Sequence, residues 1–358
     1  MINFTYRNEV EQGFIARREH PEDKNIVILN YTDLAVYEKY WNAATLACRG
    51  LIINEETGEI LARPFPKFFN YGENCGLELR IPNSEPTIAI KMDGSLGISY
   101  FLNGRLRWST RGSFVSDQSV IAQKIWEEKY SHVDETKING ITLLTEIIDK
   151  GTRVVVDYDG VSDLVLLGAI RIEDGYDYPL EELLKLANQI GMKVAENTGL
   201  TLQEALGKKT QLSYNEEGYV LRWGDGLNAF RLKVKGEKYL EVHRMLYGLS
   251  LKKKVMSWVT GSLEELIFEV PEEFRAEIEE FRNKLNDVES VMYSEIHEFV
   301  KTAKEKGLES RKEFALFFMQ QGKKEYLSFY FNVLENKEPN IKEYIYKNYL
   351  TILGEDEQ

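Results

Sequence analysis

An α+β fold in two parts is predicted, and three observations predict it. Short β-branched and aromatic runs, separated by turns rich in Gly, Asn and Pro, fill the chain up to about residue 240. Beyond that point the apolar residues recur with the 3.6-residue period of helices. A length of 358 residues is enough to bury two cores. Residues 1–245 are therefore read as a domain of antiparallel sheets with short helices, and 246–358 as an all-helical C-terminal domain.

The elements follow in order. Residues 47–53 are extended, 54–59 form a polar turn with Gly58, and 60–63 return, which is a hairpin. Thr87-Ile88-Ala89-Ile90 is a short apolar strand, and 96–102 is a second. Asn103-Gly104 then turns the chain into 105–110, a strong hairpin signal. Val120, Ile121, Ile125 and Trp126 make 116–130 helical. Extended segments follow at 141–148, 152–158 and 163–172. Pro179 opens a helix over 179–189, with leucines at 180, 183, 184 and 186. Strands at 219–223 and 230–235 flank a loop over 223–228. After Pro271, the residues Phe274, Ile278, Phe281, Leu285, Val288 and Met292 line one helix face. Helices are expected over 310–321 and on to Leu334, and a last one over 341–350 after Pro339-Asn340. The tail from Gly354 is expected to fray.

Hydrophobic content of 43% and charged content of 29% are those of an ordinary soluble globular protein. No apolar run reaches the roughly 18 residues of a membrane span. The N-terminus lacks the layout of a secretion signal, so a cytoplasmic setting is expected. Cys48, Cys75 and the four histidines show no zinc-site spacing, and the two cysteines are expected to be reduced thiols. A net charge of −13 argues against coating of nucleic acid by the whole surface. The sign reverses locally over 231–254. There Arg231, Lys233, Lys235, Lys238, Arg244, Lys252, Lys253 and Lys254 face only Glu237 and Glu241, which suits a polyanionic ligand.

Lys91-Met92-Asp93-Gly94-Ser95 ends the strand at 87–90 and places a lysine where it can act as a covalent nucleophile. A free lysine titrates near about 10.4, so neighbouring charge and burial are needed to activate it. Lys233 and Lys235 share one strand face, opposite Phe230, Leu232 and Val234, and can neutralise phosphate charge. Glu217, before Gly218, is a candidate magnesium ligand. Glu146 lies inside the apolar run Leu143-Leu144-Thr145-Glu146-Ile147-Ile148 and needs a partner: a salt bridge, a ribose or a metal. Taken singly, Lys-x-Asp-Gly reads as a surface turn and Lys-x-Lys as a solvated edge. Their order gives them meaning.

Together with Arg111-Gly112-Ser113, Thr145-Glu146-Ile147-Ile148, Glu216-Glu217-Gly218-Tyr219-Val220 and Arg231-Leu232-Lys233-Val234-Lys235, the lysine motif resembles the successive motifs of the covalent nucleotidyl transferase superfamily. That superfamily includes ATP-dependent RNA and DNA ligases and mRNA capping enzymes. Cys48-Arg49-Gly50-Leu51, Arg63-Pro64-Phe65-Pro66-Lys67-Phe68-Phe69-Asn70, residues 152–158 and residues 164–168 resemble RNA ligases of the phage anticodon-repair type. The resemblance covers roughly residues 30–245. It implies an ATP-grasp-like ligase core that joins RNA 5′-phosphate and 3′-hydroxyl ends in three steps, through a lysyl-AMP at Lys91 and an RNA-adenylate. It further implies ATP and Mg²⁺ as cofactors, with Mn²⁺ as a substitute.

By the same resemblance, Lys91, Asp93, Glu217, Lys233 and Lys235 are catalytic, with Asp93 tied to the later sealing steps. Arg49, Lys67, Gly94, Glu146, Lys233 and Lys235 bind the nucleotide around Lys91, and Glu217 and Glu146 serve the metal. RNA is the implied partner, as tRNA or single-stranded ends, with a separate end-healing enzyme and no membrane. Phe68-Phe69 is read either as an RNA-stacking pair or as core. Capping enzymes and DNA ligases use the same lysine chemistry. They normally append a β-barrel where residues 250–350 here read as helices. A catalytically idle RNA-binding protein on the same scaffold is the non-enzymatic alternative.

Overall fold

The computed structural model describes residues 5–150, 154–246, 250–270 and 272–354. The chain divides into two compact units, Met1–Arg244 and Met245–Gln358. The first is α+β and the second is helical.

In the first unit, β1 (Ile15–Glu19), β2 (Ile26–Tyr31), β3 (Arg49–Asn54) and β4 (Ile60–Ala62) form an antiparallel sheet in sequence order. Next come β5 (Phe69–Asn70), β6 (Thr87–Lys91), β7 (Ser95–Leu102), β8 (Arg105–Ser109), β9 (Ile141–Ile148), β10 (Asp163–Arg171), β11 (Lys193–Val194), β12 (Gly218–Trp223) and β13 (Phe230–Lys235). They build two further sheets. One has the order β11-β10-β9-β7-β8, and the other β5-β13-β12-β6. All pairings are antiparallel except the short edge pairs β10 with β11 and β13 with β5.

The central β9 is buried at seven of its eight positions, which explains why its apolar residues do not alternate: both faces are covered. One face packs on the helices Asp117–Lys129 and Leu180–Ile190 in a core containing Trp126, Leu143, Ile147, Leu186 and Ile190. Asn103-Gly104 turns β7 into β8 with both residues at positive φ, 52° and 75°, as the dipeptide requires. Ser116 caps the first of those helices by accepting from the Ser119 N–H. Gly191 closes the second in the left-handed conformation.

Three local expectations need correction. Residues 47–53 do not begin as a strand. Ala47 instead ends a short helix, Ala43–Ala47, whose capping box joins Asn42 and Thr45, and the strand starts at Arg49. Residues 154–158 form no strand, because the Val155 and Val156 N–H groups donate to the Asp93 carboxylate and not to a ladder. Thr152 and Arg153, part of that segment, lie outside the described residues. The last helix breaks at Asn348, whose side-chain amide donates to the Tyr344 carbonyl, leaving Ile341–Lys347 and Tyr349–Leu353. The tail 355–358 also lies outside the described residues.

In the second unit the helix Glu272–Glu305 extends the predicted apolar face. Ile278, Leu285 and Met292 are buried, and Ile296, Val300 and Ala303 continue the line. Phe299, Phe317, Phe318, Tyr330 and Phe331 pack ring against ring around it. Aromatic pairs of this kind add about 0.5–1.5 kcal/mol each beyond their area.

Candidate active site

Strand register assembles the site. Gly218, the first residue of β12, pairs with Lys91 on β6 and with Lys235 on β13. Glu217 therefore enters the sheet between two lysines. Lys91 Nζ donates to Glu217 Oε2 at 2.6 Å, and Lys235 Nζ lies 3.1 Å from Glu217 Oε1. Position 218 must be glycine. Its φ is 142°, and a Cβ there would collide with the Val234 carbonyl. Burial alone would raise the Glu217 carboxyl. The charges and hydrogen bonds of Lys91 and Lys235 outweigh it and hold the group below the ordinary value.

Lys91-Met92-Asp93-Gly94-Ser95 is where the chain leaves one sheet for the other, from β6 into β7. Gly94 crosses so close to β9 that a Cβ would strike the Ile147 carbonyl and the Glu146 side chain. The second sheet thereby supplies Glu146, which pairs in register with Leu96 on β7. Glu146 is buried, and its pKa is pushed up to about 8 by desolvation, against the pull of Lys91 and Arg49. The charges of Lys91, Glu217, Asp93 and Arg49 all act on it.

Asp93 is buried and fully engaged. One oxygen accepts from Val155 N and Val156 N at 2.8 and 2.7 Å, and the other from Tyr239 Oη at 2.8 Å. Its own N–H donates to Tyr158 Oη at 2.7 Å. A cleft of about 360 Å³ opens beside Asp93 and Gly94, lined also by Ile148, Val156 and Tyr158.

A second group of cations gathers on Tyr31. Arg111 Nη1 donates to Tyr31 Oη at 3.0 Å, and Arg49 lies near enough to feel the same tyrosine. Lys67 Nζ lies over the Tyr31 ring. Burial, followed by the Arg111 charge, weighs against the charge on Arg49. Arg49 Nη1 is buried with no hydrogen-bond partner among the described residues, and the guanidinium sits over the Phe68 ring.

The structure brings Lys91, Glu217, Lys235, Glu146 and Gly94 together, and gathers Arg49, Lys67 and Arg111 around one tyrosine. Lys233 lies two residues from Lys235 on β13, in register with Val220 and Asn70. Arg231 departs from the expected basic stretch: it is buried in an ion pair with Asp177 and stacked on Phe65. Phe69 is core, whereas Phe68 is only half-buried. Tyr31, Trp41, Tyr158 and Tyr239 were not picked out by sequence. Tyr239 carried one signal, its place four residues after Lys235 at the start of a helix.

The profile of a family described as RNA ligase matches residues 47–240, more than half of the chain. The chain belongs to the RNA ligase family. A Thermovibrio ammonificans protein provisionally named RNA ligase is 27% identical over 201 residues, covering 54% of this chain and 52% of its own length. The chain thus spans about half the length of that relative. An RNA ligase of Rhodothermus phage RM378 is 24% identical, with 89% of each chain covered. Among solved structures, an archaeal ATP-dependent RNA ligase aligns at a TM-score of 0.49 and 14% identity, over 71% of this chain and 64% of that one. No helix among the described residues is long and apolar enough to cross a membrane.

Proposed function

We propose that this chain is an ATP-dependent RNA ligase that joins 5′-phosphate and 3′-hydroxyl RNA ends, with Lys91 as its nucleophile. The observation that carries this reading is the 2.6 Å bond from Lys91 Nζ to a buried carboxylate that Lys235 shares. In the first step the Lys91 nitrogen forms a bond to the α-phosphorus of ATP, and the bond to pyrophosphate breaks. The leaving proton has an acceptor in place at Glu217. The RNA 5′-phosphate oxygen then takes the AMP, breaking the N–P bond and returning Lys91. Finally the 3′-hydroxyl attacks that activated phosphate and AMP departs.

Lys233 and Lys235 line the α-phosphate side on this reading. Arg49 and Lys67 receive the pyrophosphate end, where a polyanion would satisfy the orphaned buried Arg49 Nη1. Asp93 holds the strap at Val155-Val156 against Tyr239 and so shapes the cleft used in sealing.

Among the described residues no group of three or more His, Cys, Asp or Glu converges as a metal cage. Glu217 and Glu146 nonetheless fit a divalent ion that keeps water and phosphate oxygens as its other ligands. Mg²⁺, or Mn²⁺ in its place, would neutralise triphosphate charge there. RNA repair, including cut tRNA, in the cytoplasm is the setting we assign. Residues 246–358 serve as an RNA-recognition module in that scheme, with end healing left to a separate enzyme.

The test is adduct formation with α-phosphate-labelled ATP and Mg²⁺. A pyrophosphate-sensitive AMP adduct, absent in Lys91→Ala, is expected. A GTP-selective adduct would turn the reading toward capping. No adduct with either nucleotide, on folded protein free of pre-bound AMP, would overturn it.

A further inference from the structure

We infer that Trp41 is a positioning residue for Lys67, acting through the lysine ammonium and not on the nucleotide; this rests on the ligase reading above. Lys67 is buried, with 6% of its surface exposed. Its main-chain N–H is fixed by donation to the Leu46 carbonyl at 2.8 Å. Its Nζ lies over three ring faces: Phe69 at 4.7 Å, Trp41 at 5.4 Å and Tyr31 at 5.6 Å.

Trp41 joins the other two rings. It meets Tyr31 edge-on at 5.3 Å and 84°, and Phe69 at 5.4 Å and 76°. Its backbone is set by the turn before the Asn42–Thr45 capping box, where its N–H donates to the Lys39 carbonyl at 3.0 Å. Tyr31 and Phe69 each have other duties: Tyr31 accepts from Arg111, and Phe69 belongs to a strand. Trp41 walls the cage and packs against the core.

Ring faces attract a cation through their quadrupole without cancelling its charge, and indole does so most strongly. Rings on three sides limit where the Lys67 ammonium can lie. A fixed position is what favours a phosphate oxygen arriving at the leaving-group end of a triphosphate. Leucine at position 41 fills space but offers no quadrupole.

Trp41→Leu is expected to lower kcat/KM for adduct formation by about 10-fold or more, mainly through a raised KM for ATP. Trp41→Phe is expected to stay within about 3-fold of the parent protein. In a Lys67→Met background Trp41→Leu should cost nothing further, because the two changes remove one interaction. If the leucine variant unfolds well below the parent temperature, site-specific fluorotryptophans at 41 replace it, and the rate should fall stepwise as fluorine withdraws ring density. Equal costs in both backgrounds, or no dependence on fluorination, would reduce Trp41 to packing and overturn the inference. Absence of any adduct in the parent protein would instead sink the ligase reading itself.

Discussion

Two lysines of the first unit, one half-buried and one buried, are held by opposite means. Lys91 is held by a carboxylate, which balances its charge at 2.6 Å. Lys67 lies against three aromatic faces, which attract its charge without bonding to it. The first arrangement suits a group that must lose a proton and make a bond. The second suits one that must remain a cation throughout. On the ligase reading the same side chain serves as a nucleophile in one place and as an anion receptor in another, and the neighbours set the two apart.

Four changes break or sharpen that contrast. Lys91→Ala removes the bond-forming atom, so labelled adduct should fall at least about 1,000-fold, to the detection floor on a gel. Glu217→Gln keeps the shape but removes the acceptor and leaves two lysines facing each other. Single-turnover adduct formation should drop about 100-fold or more. Lys67→Met keeps the apolar stem in its cage and deletes only the charge. A loss of about 10- to 100-fold, with KM for ATP raised, is expected from titrating ATP in the same assay.

The smallest effect concerns stability. The Glu146 carboxyl has an ordinary value of 4.5 and is raised to about 8 in the folded protein. The folded state therefore binds the proton more tightly than the unfolded chain. Its stabilising contribution is complete below about pH 4.5 and is lost as pH rises through about 8. Urea unfolding between pH 5 and 8.5 should show stability declining with pH, and Glu146→Gln should flatten that decline. A parallel slope in the variant would mean that Glu146 is already ionised at neutral pH.

The Lys91 centre was legible in sequence because it is written in strand alternation. Lys235 and Lys91 each end a strand, and Glu217-Gly218 opens the one between them, so their convergence needs only the right pairing. β9 was likewise legible to the residue, since a buried central strand shows as an apolar run. The cage around Lys67 was not. Tyr31 ends a strand of another sheet, and Trp41 sits in a turn, so nothing periodic links them to Lys67. The strap at 154–158 misled for a related reason. Its valines read as a strand, but the Val155 and Val156 N–H groups are taken by one carboxylate from a distant loop. Alternation reports what lies along a chain, not which side chain from elsewhere will claim its backbone.

Lys91 and Ser95 belong to different sheets and are joined by only three residues, with Gly94 wedged against β9. That link has no slack. One inserted residue would turn either the lysine or everything on β7 to the wrong face, since side chains alternate along a strand. The long stretch between β5 and β6, with its exposed Tyr71 and Ile81, carries no such constraint. Changes of chain length across variants of this protein should therefore collect before β6 and be excluded from the crossover. The amine proposed as the nucleophile lies beside a seam whose length the architecture cannot vary.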